Sequence, residues 1–117
     1  MTREAAKLLW DACLVADRVA RITANKTFAD YLADEVLRWA VERQFTIIGE
    51  SLSGLRRSDP ELAGQIPDLA RIVAFRNVLI HGYAVVDDRL VWGVVEGDLE
   101  LLRAALTRLM KDAPDHD

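Results

Sequence analysis

The chain has 117 residues, 51% of them hydrophobic, and sets 15 Lys and Arg against 19 Asp and Glu, a formal net charge of −4. That length suits one domain over residues 1–117, and the near-balance of charge excludes a basic nucleic-acid arm or a disordered acidic solubiliser as the chain's overall character. Six Gly and three Pro leave few breakers, so an all-α domain of long helices is expected.

In chain order, Leu8/Leu9, Ala12/Cys13, Val15/Ala16, Val19 and Ile22 recur at three- and four-residue spacing and predict a first amphipathic helix fading near Thr23 to Lys26. Thr27 with Asp30 three residues later reads as a capping-box start. The stripe Tyr31/Leu32, Leu37, Val41, Phe45, Ile48, Leu52 and Leu55 then predicts one unbroken second helix of about 40 Å. Ser58-Asp59-Pro60-Glu61 predicts a short helix with Ser58 as N-cap and Gly64 as its stop. Pro67-Asp68 opens a third long helix, with Ile66, Leu69/Ala70, Val73, Asn77 and Ile80 on one face and Gly82 at its end. Ala84 to Trp92 fits either a small hairpin or a loop, of which the loop is favoured. From about Gly97, Leu99, Leu102, Leu106 and Leu109 predict a last helix, and residues 113–117 a frayed tail. The architecture expected is an up-and-down bundle of four main helices plus a short one, a fold that hosts many unrelated activities.

The longest run without Asp, Glu, Lys or Arg is Asn77 to Val86, about half the ~20 residues a membrane helix needs. With charges at Arg3, Glu4, Lys7, Asp11 and Asp17, the N-terminal stretch also lacks the apolar core of a signal peptide, so a cytoplasmic protein with no membrane partner is expected. Cys13, the single cysteine, sits among apolar helix positions and reads as a core residue rather than a nucleophile. With only His81 and His116 as histidines, no Glu-x-x-His pair, no phosphate loop and no G-x-S-x-G, neither a metal site nor most standard enzyme classes are supported.

What remains is Arg76-Asn77-Val78-Leu79-Ile80-His81-Gly82-Tyr83, which crowds a guanidinium, an amide, an imidazole and a phenol into eight residues. Burying such groups unpaired is costly, so the stretch should border a cleft or an interface. Asn77 and His81, four apart, share a helix face, whereas Arg76 and His81, five apart, diverge by about 140°. Either Gly82 loosens the last turn or two copies share one site across a two-fold axis. These groups suffice for a metal-free reaction in which an RNA 2′-hydroxyl attacks its adjacent phosphate: His81 takes or donates the proton and Arg76 stabilises the phosphorane. Asn77 would orient the imidazole or touch the phosphate, and Tyr83 would contact ribose or base. An Arg and a His near a helix end are more often cations facing the helix dipole, and Trp10, Trp39 and Trp92 are more often core or interface anchors than base platforms.

Arg76-Asn77-x-x-x-His81-x-Tyr83 resembles the R-x4-H-x-Y motif of the HEPN superfamily, specifically its HepT-like toxin ribonucleases. Arg38-Trp39-Ala40-Val41-Glu42-Arg43 followed by Ile47-Ile48-Gly49-Glu50 resembles that family's second-helix signature, and Ile66-Pro67, Val86-Asp87, Val91-Trp92 and Asp98-Leu99 fall in the family's order. The resemblance implies a HEPN-like homodimer acting as a metal-independent endoribonuclease, with Arg76 and His81 catalytic and Asn77 and Glu50 supporting. It also implies a toxin role beside a minimal nucleotidyltransferase antitoxin that adenylylates Tyr83. No cofactor is implied on this chain, ATP and Mg²⁺ belonging to that partner. The alternative is a non-catalytic helical dimer that binds a nucleotide or docks a nucleotidyltransferase. Residues 1–86 carry 11 basic and 11 acidic side chains and residues 87–117 carry 4 and 8, so the whole acidic excess follows the motif. An acidic protein with a locally basic, salt-sensitive RNA cleft is therefore consistent with the composition.

Overall fold

The computed structural model describes residues 1–82 and 86–113; Tyr83 and His116 lie outside them. Among the described residues the chain is all-α, in seven helices. Helix α1 (Arg3–Thr23) starts where the Thr2 hydroxyl accepts from the Ala5 N–H and buries Leu9, Ala12, Val15, Ala16 and Val19. It ends before Asn25, whose left-handed φ of 62° suits a residue just past a helix.

The capping box at Thr27 and Asp30 forms as expected, but it opens only the short α2 (Phe28–Ala33). The expected continuous second helix is broken at Asp34, which leaves helical geometry and caps α3 (Glu35–Ser58) by accepting from the Leu37 N–H at 3.0 Å. Arg38 fastens the corner by donating from Nη1 to the carbonyls of Tyr31 and Leu32, which a continuous helix would have kept for itself. Beyond the corner the expected stripe holds: Leu37, Val41, Phe45, Ile48, Leu52 and Leu55 are all buried, whereas Leu32 is exposed.

Asp59, not Ser58, caps α4 (Pro60–Ala63), accepting from the Leu62 N–H. Pro60 decides this, because proline belongs at the first helical position and the cap must then be the residue before it. Helix α5 (Leu69–His81) follows Asp68, itself left-handed at φ 58°. Its buried face is Leu69, Ile72, Val73 and Phe75, with Ala70, Asn77 and Ile80 outside, so the face expected from sequence is rotated. Of the stretch Ala84 to Trp92 expected as a loop, Ala84 and Val85 lie outside the described residues and residues 88–92 are helical: α6 (Asp88–Gly97) starts where Asp87 accepts from the Arg89 and Leu90 N–H groups, and it buries Val91, Trp92 and Val94. Helix α7 (Leu99–Met110) buries Leu99, Leu102, Leu106 and Leu109 as expected.

The frame is a bundle in which α1 packs on α3 and α7, and α3 packs also on α5. One apolar core runs through it, from Leu9 and Val19 past Phe45 and Ile48 to Leu102 and Leu106. Arg103 ties α7 to α1 through Asp17 at 2.9 Å, and Arg71 of α5 lies 3.3 Å from the buried carboxylate of Asp98. Cys13 is half-buried against the core, where burial pushes its thiol up and keeps it the neutral form, a poor nucleophile. No helix among the described residues is long and apolar enough to cross a membrane.

Candidate active site

Helix α5 carries the polar motif, and its contact with α3 sets where the motif stands. The Phe45 and Phe75 rings meet edge-on, their centroids 5.4 Å apart, an arrangement worth about 0.5–1.5 kcal/mol beyond the area buried. One turn further along α3, Gly49 lies directly against Arg76. Arg56 and Leu69 line one surface hollow near the other end of the pair, so the two helices run antiparallel. The N-terminal half of α3 therefore flanks the C-terminal end of α5. That end is set by Gly82, whose N–H donates to the Val78 carbonyl at 2.8 Å. A Cβ on residue 82 would stand 2.5 Å from the same oxygen, so glycine is required there and His81 is the last helical residue.

Arg76 is half-buried, and its Nε is buried with no hydrogen-bond partner among the described residues. Asn77 and His81 are both exposed, on the outer side of the helix. The five-residue step turns His81 about 140° from Arg76, which agrees with one being half-covered by α3 and the other facing solvent. Within one protomer the two therefore do not converge. Glu50 is exposed on α3 and has no ion-pair partner among the described residues; its neighbour Gly49 is what touches Arg76. In the sequence that glycine stands out only as part of the Ile47-Ile48-Gly49-Glu50 signature, although an isolated glycine inside a long helix ordinarily marks a close packing contact.

The same end of the bundle exposes apolar side chains. Val36 and Trp39 on α3 are 70% and 61% exposed, and Val78 and Ile80 stand between the polar motif residues with 47% and 38%. Trp92, in contrast, is buried, with its ring centroid 5.1 Å from that of Tyr31, and Trp10 is half-buried. Glu42 of α3 and Asp88 of α6 lie close enough to interact electrostatically. Burial first, and Asp88 second, push the Glu42 carboxyl up, against the opposing pull of Arg38. The Tyr31 phenol is pushed up as well, chiefly by burial. Among the described residues, no group of three or more His, Cys, Asp or Glu is placed to hold a metal ion.

Comparison with known proteins bears on this geometry. The family model described as ribonuclease HepT-like matches residues 14–109, a span that includes Gly49, Arg76, Asn77 and His81. A Thermococcus cleftensis protein, provisionally named ribonuclease HepT, is 31% identical over 113 residues, covering 95% of this chain and all of that relative. A Methanocaldococcus jannaschii protein, provisionally named an RNase, is 28% identical over 101 residues, covering 86% of this chain and 92% of its own length. No solved structure matches the chain.

Proposed function

This chain belongs to the HepT-like ribonuclease family, and on that premise we propose that it is a metal-independent endoribonuclease acting as a homodimer and serving as the toxin of a toxin–antitoxin pair. The observation that carries the reading is the pairing, on one helix, of a half-buried Arg76 with an exposed Asn77 and His81, fringed by exposed Val78 and Ile80. Exposed apolar side chains of this size on a polar motif helix favour a partner surface. A second copy related by a two-fold axis would cover them and bring Arg76 of one protomer towards His81 of the other.

In the proposed reaction one imidazole takes the proton of a ribose 2′-hydroxyl, and the 2′-oxygen attacks the adjacent phosphorus. The phosphorus–5′-oxygen bond breaks, and the leaving oxygen is protonated by the second imidazole of the dimer. The Arg76 guanidinium stabilises the charge that grows on the non-bridging oxygens. Asn77 orients the imidazole or the phosphate, and Glu50 keeps a supporting role at the rim of the α3–α5 contact. The products carry a 2′,3′-cyclic phosphate and a 5′-hydroxyl. Tyr83, two residues beyond His81, is the proposed acceptor of AMP from a minimal nucleotidyltransferase antitoxin, with ATP and Mg²⁺ supplied on that partner.

The test is cleavage of an RNA oligonucleotide beside its all-DNA counterpart, with the product ends identified by mass spectrometry. RNA is expected to be cut to cyclic-phosphate ends and DNA left intact. Equal cleavage of DNA, or products with a 5′-phosphate, would overturn the 2′-hydroxyl mechanism.

A further inference from the structure

Of the six glycines, only Gly49 and Gly82 would place a Cβ within 3.0 Å of another atom. At Gly82 the obstacle is the helix's own carbonyl, but at Gly49 it is the side chain that the proposed reaction depends on. A Cβ there would lie 2.2 Å from Cβ and 2.6 Å from Cγ of Arg76. Non-bonded carbons settle at about 3.5–4.0 Å, so neither approach is tolerable. Nor can Arg76 swing clear, because these are the first two carbons of its side chain and the α5 backbone fixes where they start. The backbones of α3 and α5 must therefore shift against each other, carrying the Arg76 stem with them. Gly93 and Gly97 have open space, and Gly54, on α3 with Gly49, would approach no atom closer than a Leu8 methyl at 3.3 Å, the end of a flexible side chain.

Nothing polar holds Arg76 in place among the described residues. Its Nε is buried without an acceptor, and no hydrogen bond or ion pair among the described residues fixes the guanidinium. A buried donor left without an acceptor is ordinarily unfavourable. Here the position of the stem is set by packing against the α3 backbone. The terminal nitrogens are left as the donors for a phosphate.

We propose that Gly49 is a positioning residue for RNA cleavage: the bare backbone at this point of α3 forms one wall of a slot that aims the Arg76 guanidinium. This rests on the ribonuclease reading of Arg76. Gly49 touches no substrate and acts only through that side chain.

The experiment measures kcat and KM for RNA cleavage by the full chain as wild type, Gly49→Ala and Gly54→Ala, with circular dichroism and thermal melting of each. Gly49→Ala is expected to lower kcat by about 100-fold, the scale of a 1 Å misplacement, with KM changed less than about threefold because binding does not run through the transition-state contact. Gly54→Ala should keep wild-type values of both. Wild-type kcat in Gly49→Ala, or equal losses in the two variants, would overturn the assignment. An inactive wild type would instead overturn the ribonuclease reading, and with it the catalytic half of this inference. The contact itself is tested independently by melting Gly49→Ala/Arg76→Gly beside each single variant. Removing the Arg76 side chain should restore the melting point lost in Gly49→Ala. A double variant as unstable as Gly49→Ala would overturn the slot, even where Gly49→Ala alone fails to fold.

Discussion

Replacing Tyr31 with phenylalanine should stabilise the fold, against the usual direction of core substitutions. Tyr31 is wholly buried at the α2–α3 corner, stacked at a tilt on Trp92, and its hydroxyl has no hydrogen-bond partner among the described residues. A buried hydroxyl without a partner costs roughly 1–3 kcal/mol. Phenylalanine keeps the ring, its contact with Trp92 and nearly all of its volume, so the cavity left is smaller than a methyl group and the packing penalty is slight. The expected gain is about 1–2 kcal/mol, or roughly 4–8 °C in melting temperature for a domain of this size. The assay is thermal and urea unfolding of wild type and Tyr31→Phe at one protein concentration, with the urea slope compared to confirm that the unfolded states match. A loss of about 1 kcal/mol or more would refute the reasoning, since it would mean the hydroxyl is satisfied.

The Glu42 carboxyl, held up by burial and by Asp88, has a folded pKa above its unfolded one. Its favourable contribution is complete below the ordinary carboxylate range and is lost as pH rises through the folded value. Glu42→Gln should therefore gain a few tenths to about 1 kcal/mol at pH 7, discounted for solvent screening, and nothing near pH 3; a gain that does not change with pH in parallel melts would contradict this. Trp39→Asp should leave the protomer folded, because Trp39 is 61% exposed, yet yield monomers by sedimentation and lower cleavage; a dimer of unchanged affinity would place the interface elsewhere. Tyr83→Phe should accept no adenylyl group from the nucleotidyltransferase partner by intact-mass analysis, while wild type gains it.

The helices that sequence made legible are those whose stop and start signals agree with a clean apolar period: α1, the Thr27 capping box, the α3 stripe and α7. Asp34 is hard to see because apolar residues recur on both sides of it, with neither Gly nor Pro to announce a corner; what breaks the helix there is capping by its side chain and the reach of Arg38 to the freed carbonyls. Helix α6 was obscured by Val91, Trp92, Val94 and Val95, residue types at home in strands, which tertiary packing against Tyr31 and α7 overrides. The face of α5 is not legible in the sequence because Leu69, Ala70, Ile72, Val73, Ala74, Phe75, Val78, Leu79 and Ile80 surround the helix with apolar groups, and such a helix has no single period to read. The motif residues were named from sequence, as was the divergence of Arg76 and His81. Gly49 was named there only as part of a signature, since its role depends on a contact between two helices that no linear pattern records.

The central question for this protein is whether the α5 motif performs chemistry on RNA. The most direct measurement is cleavage of single-stranded RNA by purified wild type and His81→Ala in EDTA, both confirmed as folded and in the same oligomeric state. His81 is exposed at the last residue of α5, so its loss should leave the fold intact while cleavage falls by at least about 100-fold, the lower range for a missing general acid–base group. Wild-type cleavage by His81→Ala, or cleavage by wild type that EDTA abolishes, would contradict the proposed reaction.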